Sequence, residues 1–256
     1  MIKSKIEWCD STFNPVTGCL HDCPYCYARG IATRFGGCDL APDGKTEKQI
    51  ITLTERLKVT TKAGAVHNAA YPYGFTPTMH EYRLKGPSTR GFGEIVFVCS
   101  TADLFGWWVP DEWITKVFDA CKAAEGHRYL FLTKNPQRYV QLESKGLLPE
   151  LDTFWYGSTM DRLMADVFKS NRHNTFVSME PILEPFPYPS SPEALRDNWI
   201  IMGAETGNRA NKVVPERSWV EPYVNFCKEN NIPVFMKDSM RAVWGEDIIT
   251  EFPWDD

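Results

Sequence analysis

Three cysteines within one short segment are the residues of this chain with the clearest chemical potential. Cys19, Cys23 and Cys26 follow one another with the spacing C-x3-C-x2-C. Three thiolates this close together can hold three corners of a cubane iron–sulfur cluster and leave the fourth iron open to another ligand. The spacing therefore predicts a loop over residues 17–27 whose metal centre takes part in chemistry.

A structural zinc site is the main alternative for the same loop. His21 lies between the first two cysteines and would complete a Cys3His ligand set. Zinc modules usually take paired ligands from two separated segments, and no second cysteine pair follows in this sequence. Three inert buried thiols are a further interpretation. Spacing alone leaves these alternatives open, although it favours the cluster.

Composition indicates one globular domain over residues 1–256. Hydrophobic residues make up 43% of the chain and charged residues 24%, which is ordinary for a globular protein with a buried core. The formal net charge of −5 attracts no nucleic acid as a whole, so any contact with DNA or RNA must come from a local basic face.

The same sequence predicts a cytoplasmic protein with no membrane partner. No apolar run approaches the roughly 18 residues of a membrane span, and the first residues lack the apolar core of a signal peptide. The cysteines outside the loop are dispersed, which is typical of a reduced compartment and not of a disulfide framework.

Short apolar runs alternate with helical patterns from residue 94 onward. Predicted strands cover residues 95–99, 129–133, 154–156, 175–179, 199–203 and 233–236. Continuous apolar runs are typical of parallel strands covered on both faces. The alternation predicts an α/β fold, a partial or complete parallel TIM-like (β/α) barrel.

Helix ends and one irregular region complete the predicted architecture. Asp111 should cap a helix that Gly126 closes, and Ser218 with Glu221 forms a capping-box pattern for another. Residues 37–93 are rich in Gly, Pro, Thr and Lys, with one predicted helix over 47–57. We interpret this region as an insertion that either covers the active site or decorates the fold.

Polar residues follow almost every predicted strand. Because active sites of parallel barrels form at the carboxyl ends of the strands, these residues should line one polar cavity above an apolar core. They are Ser100, Asp103, Thr133, Lys134, Ser158, Thr159, Glu180, Glu205, Lys237 and Asp238.

The cysteine loop, with Tyr25 before its last cysteine, resembles the cluster loop of the radical S-adenosylmethionine (radical SAM) superfamily. The segments 100–105 and 132–136 resemble the branch that contains the spore photoproduct lyases. Over nearly its full length the chain is similar to a phage and bacterial family of short radical SAM proteins, through Asn-Pro-Val-Thr-Gly-Cys at 14–19, Ser-Met-Glu-Pro at 178–181 and Gly-Ala-Glu-Thr-Gly at 203–207. It departs from that family at Asn135 and Ala204, where relatives often have Arg and Gly.

The resemblance implies a barrel of the radical SAM type, a set of cofactors and a set of roles. Cys19, Cys23 and Cys26 would bind a 4Fe–4S cluster whose open iron chelates SAM, and an external one-electron reductant of the flavodoxin or ferredoxin kind would start the reaction. Polar contacts to SAM or substrate are expected from Tyr25, Ser100, Asp103, Thr133, Ser158 and Glu180. Catalytic roles are expected for Lys134, Glu180 and Glu205.

The resemblance also suggests a substrate. A glycine joined to the methyl carbon of thymine through nitrogen would be isomerised to one joined through its α-carbon, in phage DNA or in a nucleotide, within the host cytoplasm if the protein is phage-encoded. Basic and aromatic residues near the strand ends would contact the DNA, unless they are an ordinary solvated surface; they are Arg138, Tyr139, Arg209, Lys212, Arg217, Lys237, Arg241 and Trp244.

Two other functions remain open. Repair of a thymine lesion would require a cysteine or tyrosine hydrogen donor, for which Cys38 is the nearest cysteine after the loop. A nucleic-acid-binding module with an inert cluster or zinc would bind no SAM.

Overall fold

The computed structural model describes residues 4–36, 50–60, 64–87, 93–162, 165–186, 199–207 and 209–255. Its strands, in chain order, are β1 (Ser11–Phe13), β2 (Val16–Thr17), β3 (Ile51–Leu53), β4 (Lys58–Thr60), β5 (Val66–Asn68), β6 (Thr78–His80), β7 (Ile95–Val98), β8 (Arg128–Thr133), β9 (Phe154–Thr159), β10 (Asn174–Met179), β11 (Ile200–Met202) and β12 (Val234–Met236). Its α-helices are α1 (Tyr27–Phe35), α2 (Asp111–Lys122), α3 (Gln137–Ser144), α4 (Arg217–Glu229) and α5 (Arg241–Trp244).

Seven strands form the central sheet, in the order β1-β7-β8-β9-β10-β11-β12. Every neighbouring pair in it is parallel. The sheet curls into a half-barrel, which confirms the prediction of an α/β fold with a partial parallel barrel. The six predicted strands are all present, whereas β1 was not predicted because its three residues form no apolar run.

One face of the sheet carries an aromatic floor. Alternate residues along the strands point to the same face, and on this face they form one buried cluster with Trp8 and Trp199 from the adjoining segments. Gly157 gives this cluster room, because a Cβ there would lie 2.2 Å from the Phe176 ring. The strand residues of the floor are Phe97, Leu130, Trp155, Phe176, Ile201 and Phe235.

The helices cover the opposite face. Residues of α2 and α3 pack with Phe131 and Tyr156 of the sheet, and residues of α4 pack with Val177 and Met202. Helix α2 is present, but Pro110 is its N-cap, Asp111 is its first residue and not the cap, and it ends at Lys122, before Gly126. Within the described ranges, no helix is long and apolar enough to cross a membrane.

The predicted start of α4 was wrong. The helix begins at Arg217 with Glu216 as N-cap, so Ser218 lies inside the first turn and its hydroxyl donates to the Glu216 carboxylate at 3.1 Å instead of capping the helix. The capping-box pattern would place Pro222 in the first turn, where proline is tolerated. In the structure it lies in the interior of the helix instead. Packing of the apolar face of α4 against the sheet sets the boundary, overriding the local capping pattern.

The region 37–93 also differs from its prediction where it is described. Of the helix predicted over 47–57, residues 47–49 lie outside the described part, and 51–53 form strand β3. This strand pairs in parallel with β6, which pairs antiparallel with β2. Pairing with distant strands therefore overrides the local helical pattern, and the resulting three-stranded sheet includes the strand just before the cysteine loop.

Candidate functional site

A cavity lies at the carboxyl ends of the sheet strands, and we call it the mouth cavity. The segments that follow all six predicted strands contribute residues to it, but Ser158 and Asp238, which were expected in the lining, are not among them. Its apolar lining includes Trp8 and Phe97 of the aromatic floor and Leu132, which packs against the floor. The cysteine loop supplies Cys19, Cys23 and Cys26, and the exits supply, among others, Asp103, Lys134, Thr159, Glu180, Glu205 and Lys237.

Gly18 fixes the start of the cysteine loop. Its φ of +85° favours glycine, and a Cβ would lie 2.3 Å from the carbonyl oxygen of Thr76. The Gly18 amide donates to the Thr101 carbonyl at 3.0 Å, and the Cys19 amide donates to the Phe75 carbonyl at 3.2 Å. The described part of region 37–93 therefore supports the loop directly, a contact that no sequence pattern indicated.

A buried histidine strengthens this support. The His80 ring is fully buried in β6, with Nε2 at 2.9 Å from the Thr17 hydroxyl and Nδ1 at 3.0 Å from the Tyr82 hydroxyl. Burial, aided by the charge of Arg83, lowers the pKa of His80 to about 3. The ring is therefore neutral near pH 7 and joins β6 to β2 through hydrogen bonds.

The Asp103 carboxylate connects the cysteine loop to the ends of β7 and β8. It accepts hydrogen bonds from the Thr133 hydroxyl at 2.7 Å, the Lys134 amide at 3.0 Å and the Phe105 amide at 2.9 Å. The Nε2 of His21 lies 2.7 Å from Asp103 Oδ2. Because a carboxylate only accepts hydrogen bonds, this nitrogen carries a hydrogen. Asp103 and Thr133 line the mouth cavity, but the donors around Asp103 occupy both its oxygens.

Lys134 and Tyr25 meet at Asp161, which sequence reasoning missed. The Lys134 ammonium lies 2.7 Å from Asp161 Oδ2, and the Tyr25 hydroxyl donates to the same oxygen. Burial works to raise the pKa of Asp161, but the charge and hydrogen bond of Lys134 outweigh it, and the net shift is downward. Burial and the bond to Asp161 raise the pKa of Tyr25. Asp161 could have been identified as a candidate site residue from its position, two residues after the end of β9.

Glu180 and Lys237 form an ion pair at the ends of β10 and β12. Both side chains line the mouth cavity. A Cβ at Gly203, which follows β11, would lie 3.0 Å from Glu180 Cγ and 3.1 Å from Lys237 Cδ. The absence of a side chain at this position therefore leaves room for the ion pair.

Glu205 is held by its own loop. Arg209 donates to both carboxylate oxygens at 2.6 Å, and the Val213 amide lies 3.3 Å from Oε2. The hydrogen bonds from Arg209 lower the pKa of Glu205. The carboxylate that was predicted to be catalytic thus organises the segment after β11, although it also lines the mouth cavity.

The two predicted serines lie in different places. Ser100 lines the mouth cavity and its hydroxyl donates to Asn14 Oδ1 at 3.1 Å. Ser158 is fully buried, its hydroxyl accepts from the Phe168 amide at 2.8 Å, and it is not among the lining residues. The cavity instead receives Thr159 and Ser178, which are partner positions on β9 and β10. Strand alternation could have identified Thr159, since it faces opposite to Ser158.

The three thiols have the right chemistry for a cluster but do not form a preassembled site. Thiolates are the ligands that iron–sulfur clusters prefer. Burial raises the pKa of Cys19 to about 12 and also raises that of Cys23, while the Cys26 sulfur accepts from the Arg29 amide at 3.4 Å and caps α1. Among the described residues, no three His, Cys, Asp or Glu side chains already form a metal-binding group. Cluster binding would therefore deprotonate these thiols and bring them together.

Most of the predicted nucleic-acid contacts are occupied within the protein. Tyr139 is fully buried. Arg138 pairs with Asp111, and Arg209, Arg217 and Arg241 each pair with a nearby carboxylate. Cys38 lies outside the described residues.

The fold and the site together define an α/β protein in which a cysteine loop lines the mouth of a parallel half-barrel. The chain belongs to the family described as "Protein of unknown function (DUF5131)", whose model matches residues 3–249. No curated protein matches the chain, and no solved structure matches it.

Proposed function

We propose that this protein is a radical SAM enzyme. One observation carries the proposal: the thiols of Cys19, Cys23 and Cys26 line the same cavity as the polar residues at the ends of the parallel strands. A cluster with one open iron needs three thiolates on one side of a cavity and polar groups for its ligands on the other. The spacing of the cysteines and the half-barrel both support this function.

The three cysteines would hold a 4Fe–4S cluster with SAM at its open iron. When bound and reduced by an external one-electron donor, this pair supplies a 5′-deoxyadenosyl radical that abstracts a hydrogen atom from the substrate. The protein contributes position and exclusion of water. Gly18, His21 and Asp103 hold the loop in place, and the aromatic floor keeps the bottom of the cavity dry.

Lys134 is the cation that we assign to an anionic group of cofactor or substrate. Lys134 lines the cavity, whereas Asp161, with which it forms an ion pair, is not a lining residue. Tyr25, on the cysteine loop, donates to the same carboxylate and lies with its ring 5.3 Å from the Lys134 ammonium. Asp161 therefore links the position of the loop to that of the lysine.

The substrate that we propose is a thymidine bearing glycine on its methyl carbon. Loss of a hydrogen atom from the glycine α-carbon leaves a radical that the adjacent nitrogen and carboxylate stabilise. The isomerisation breaks the bond from nitrogen to the thymine methyl carbon, forms one from the α-carbon, and returns a hydrogen atom to nitrogen, so atoms and electrons balance. A base within duplex DNA would have to leave the stack to enter the cavity.

Formation of 5′-deoxyadenosine tests the proposal. Anaerobically reconstituted protein with SAM and dithionite should form it, and Cys19→Ala, Cys23→Ala and Cys26→Ala should each abolish it. Cys9→Ala, which removes a buried thiol outside the loop, should retain it. Absence of product from wild-type protein that contains iron and sulfide would contradict the proposal.

One observation favours zinc as a second candidate. A histidine that binds a metal usually donates its other ring N–H to a carboxylate, and His21 donates through Nε2 to Asp103. Its Nδ1 has no hydrogen-bond partner in the described part of the chain. Zinc at Cys19, Cys23, Cys26 and His21 would make the protein a binding module. Anaerobic metal analysis of the wild-type protein separates the two, because the cluster requires iron and sulfide whereas the binding module requires zinc without sulfide.

A further inference from the structure

We propose that Glu180 and Lys237 form a subsite for the zwitterionic α-amino-acid group of the substrate. In this subsite Glu180 would pair with the amine of the ligand and Lys237 with its carboxylate. The inference rests on the proposed function of the mouth cavity and names the part of the substrate that this side of the cavity recognises.

The first argument is that both charges face the cavity. The side chains of Lys237 and Glu180 are 15% and 25% exposed, and both line the mouth cavity. The other lysine there, Lys134, faces the cavity without its partner, because Asp161 is not a lining residue. The Lys134 pair therefore places no carboxylate on the cavity lining, whereas Glu180 and Lys237 place a side chain of each sign there, as a zwitterion requires.

The second argument is unused hydrogen-bonding capacity. The Asp103 and Glu205 carboxylates accept from several donors that occupy both of their oxygens. In the described part of the chain, Glu180 has one partner, Lys237, on Oε1. The Lys237 ammonium has three N–H groups, and Glu180 receives one of them. The pair can thus accept a ligand amine and donate to a ligand carboxylate without losing a structural contact.

The third argument is that the fold does not need this ion pair. Strands β10, β11 and β12 are already joined by their parallel ladders. At the exits, the Gly203 amide donates to the Met179 carbonyl at 3.1 Å and the Lys237 amide to the Met202 carbonyl at 2.9 Å. A partly exposed ion pair adds at most about 1 kcal/mol to such a ladder. Glycine at position 203 nevertheless leaves room for both side chains.

The location of the pair favours the substrate over SAM as its ligand. The cysteine loop is attached to the end of β7 through Thr101 and to that of β8 through Asp103, whereas the pair lies at the ends of β10 and β12. SAM also carries an amino-acid group, which the proposed function places at the cluster. A second amino-acid subsite, on the β10–β12 side, then fits the glycine of the modified thymidine.

Equilibrium binding to the anaerobic protein, with no reductant and no turnover, tests this inference. The probes are the thymidine nucleoside with nitrogen-linked glycine, the same nucleoside with the glycine carboxylate converted to an amide, and SAM. Wild type should bind the carboxylate form about tenfold tighter than the amide, a difference of about 1.4 kcal/mol. Lys237→Met should remove that preference, whereas Lys228→Met, at an exposed position of α4, should keep it.

Glu180→Gln supplies the matching test for the amine. An N-acetylated glycine adduct should bind wild type about tenfold more weakly than the free amine form, and Glu180→Gln should bind the two alike. SAM affinity should be unchanged by either substitution.

Three results would overturn the subsite: no binding of the glycine adduct to wild type, a carboxylate preference that persists in Lys237→Met, or a loss of SAM affinity in the variants. Because no turnover is needed, these results are independent of 5′-deoxyadenosine formation. A protein that shows the ligand preferences but forms no 5′-deoxyadenosine would disprove the radical reaction and keep the subsite.

Discussion

Two carboxylates of the mouth cavity, Asp103 on its cysteine side and Glu180 on its β10–β12 side, are held in different ways. On the cysteine side, formed by the loop 17–27 and the ends of β7 and β8, the Asp103 carboxylate is surrounded by donors on both oxygens. On the β10–β12 side, the Glu180 carboxylate has Lys237 as its partner in the described chain. A saturated carboxylate holds neighbouring elements in place, whereas one with a free oxygen is available to a ligand. The comparison supports the proposal that Asp103 holds the cysteine loop in place and that Glu180 is available to a ligand.

The largest effect is expected from Asp103→Ala, on the cysteine side. The substitution leaves the Thr133 hydroxyl, the amides of Lys134 and Phe105 and the His21 ring without their acceptor in a site where Asp103 is 6% exposed. Each unpaired buried donor costs about 1–3 kcal/mol, so the free energy of unfolding in urea should fall by about 3 kcal/mol or more. Asp119→Ala, at an exposed carboxylate of α2 paired with Lys122, should change it by less than about 1 kcal/mol. Equal losses in both variants would show that the hydrogen bonds accepted by Asp103 do not stabilise the cysteine side.

Gly18→Ala should have the next largest effect. A Cβ at this φ of +85° meets the Thr76 carbonyl, and strain of this kind costs about 1–3 kcal/mol. Iron content after reconstitution should drop together with stability. Gly30→Ala is the matched control, because a Cβ in α1 at this position meets no atom within 4 Å and should stabilise the helix by about 0.5–1 kcal/mol. Full iron loading in Gly18→Ala would show that the loop does not depend on this contact.

A smaller, pH-dependent effect is expected from His80, beneath the cysteine side. Its pKa is lowered to about 3 in the folded protein, against about 6.5 in an unfolded chain. The unfolded state therefore binds the proton more readily, and the stabilisation present above pH 6.5 is lost as the pH falls toward 3, by up to about 1.4 kcal/mol per pH unit. His80→Gln should flatten the stability curve in this window. His67→Gln, at an exposed position of β5, should leave its slope unchanged, and a wild-type slope in His80→Gln would contradict the assignment.

The smallest effect on stability is expected on the β10–β12 side. Glu180→Gln should change the free energy of unfolding by less than about 1 kcal/mol, since the pair is partly exposed and the strands are joined without it. The same protein samples should lose their preference for the free amine of the glycine adduct. A stability loss as large as that of Asp103→Ala would mean that the pair is structural and that the two sides are alike.

The sequence predicted those parts of the site that depend on local patterns. The cysteine spacing and the polar residue after each strand are readable along the chain, and the barrel geometry brings these exits together. Strand alternation also predicts that Ser158 and Thr159 point to opposite faces of the sheet. Which of the two faces the cavity could be predicted only once the orientation of β9 was known. What local patterns could not supply is pairing over long separations: Tyr25 with Asp161, His80 with Thr17, and Gly18 against Thr76. The same reason explains why residues 51–53 form a strand where a helix was predicted.

The most direct test of the central claim is the metal content and electron paramagnetic resonance spectrum of anaerobically purified protein, before and after addition of SAM. The account predicts about four iron and four sulfide per chain. It also predicts a reduced-cluster signal that changes when SAM is added and that is lost in Cys19→Ala, Cys23→Ala and Cys26→Ala. Zinc without iron, or an iron signal that SAM leaves unchanged, would contradict the assignment of the cysteine loop to a SAM-cleaving cluster.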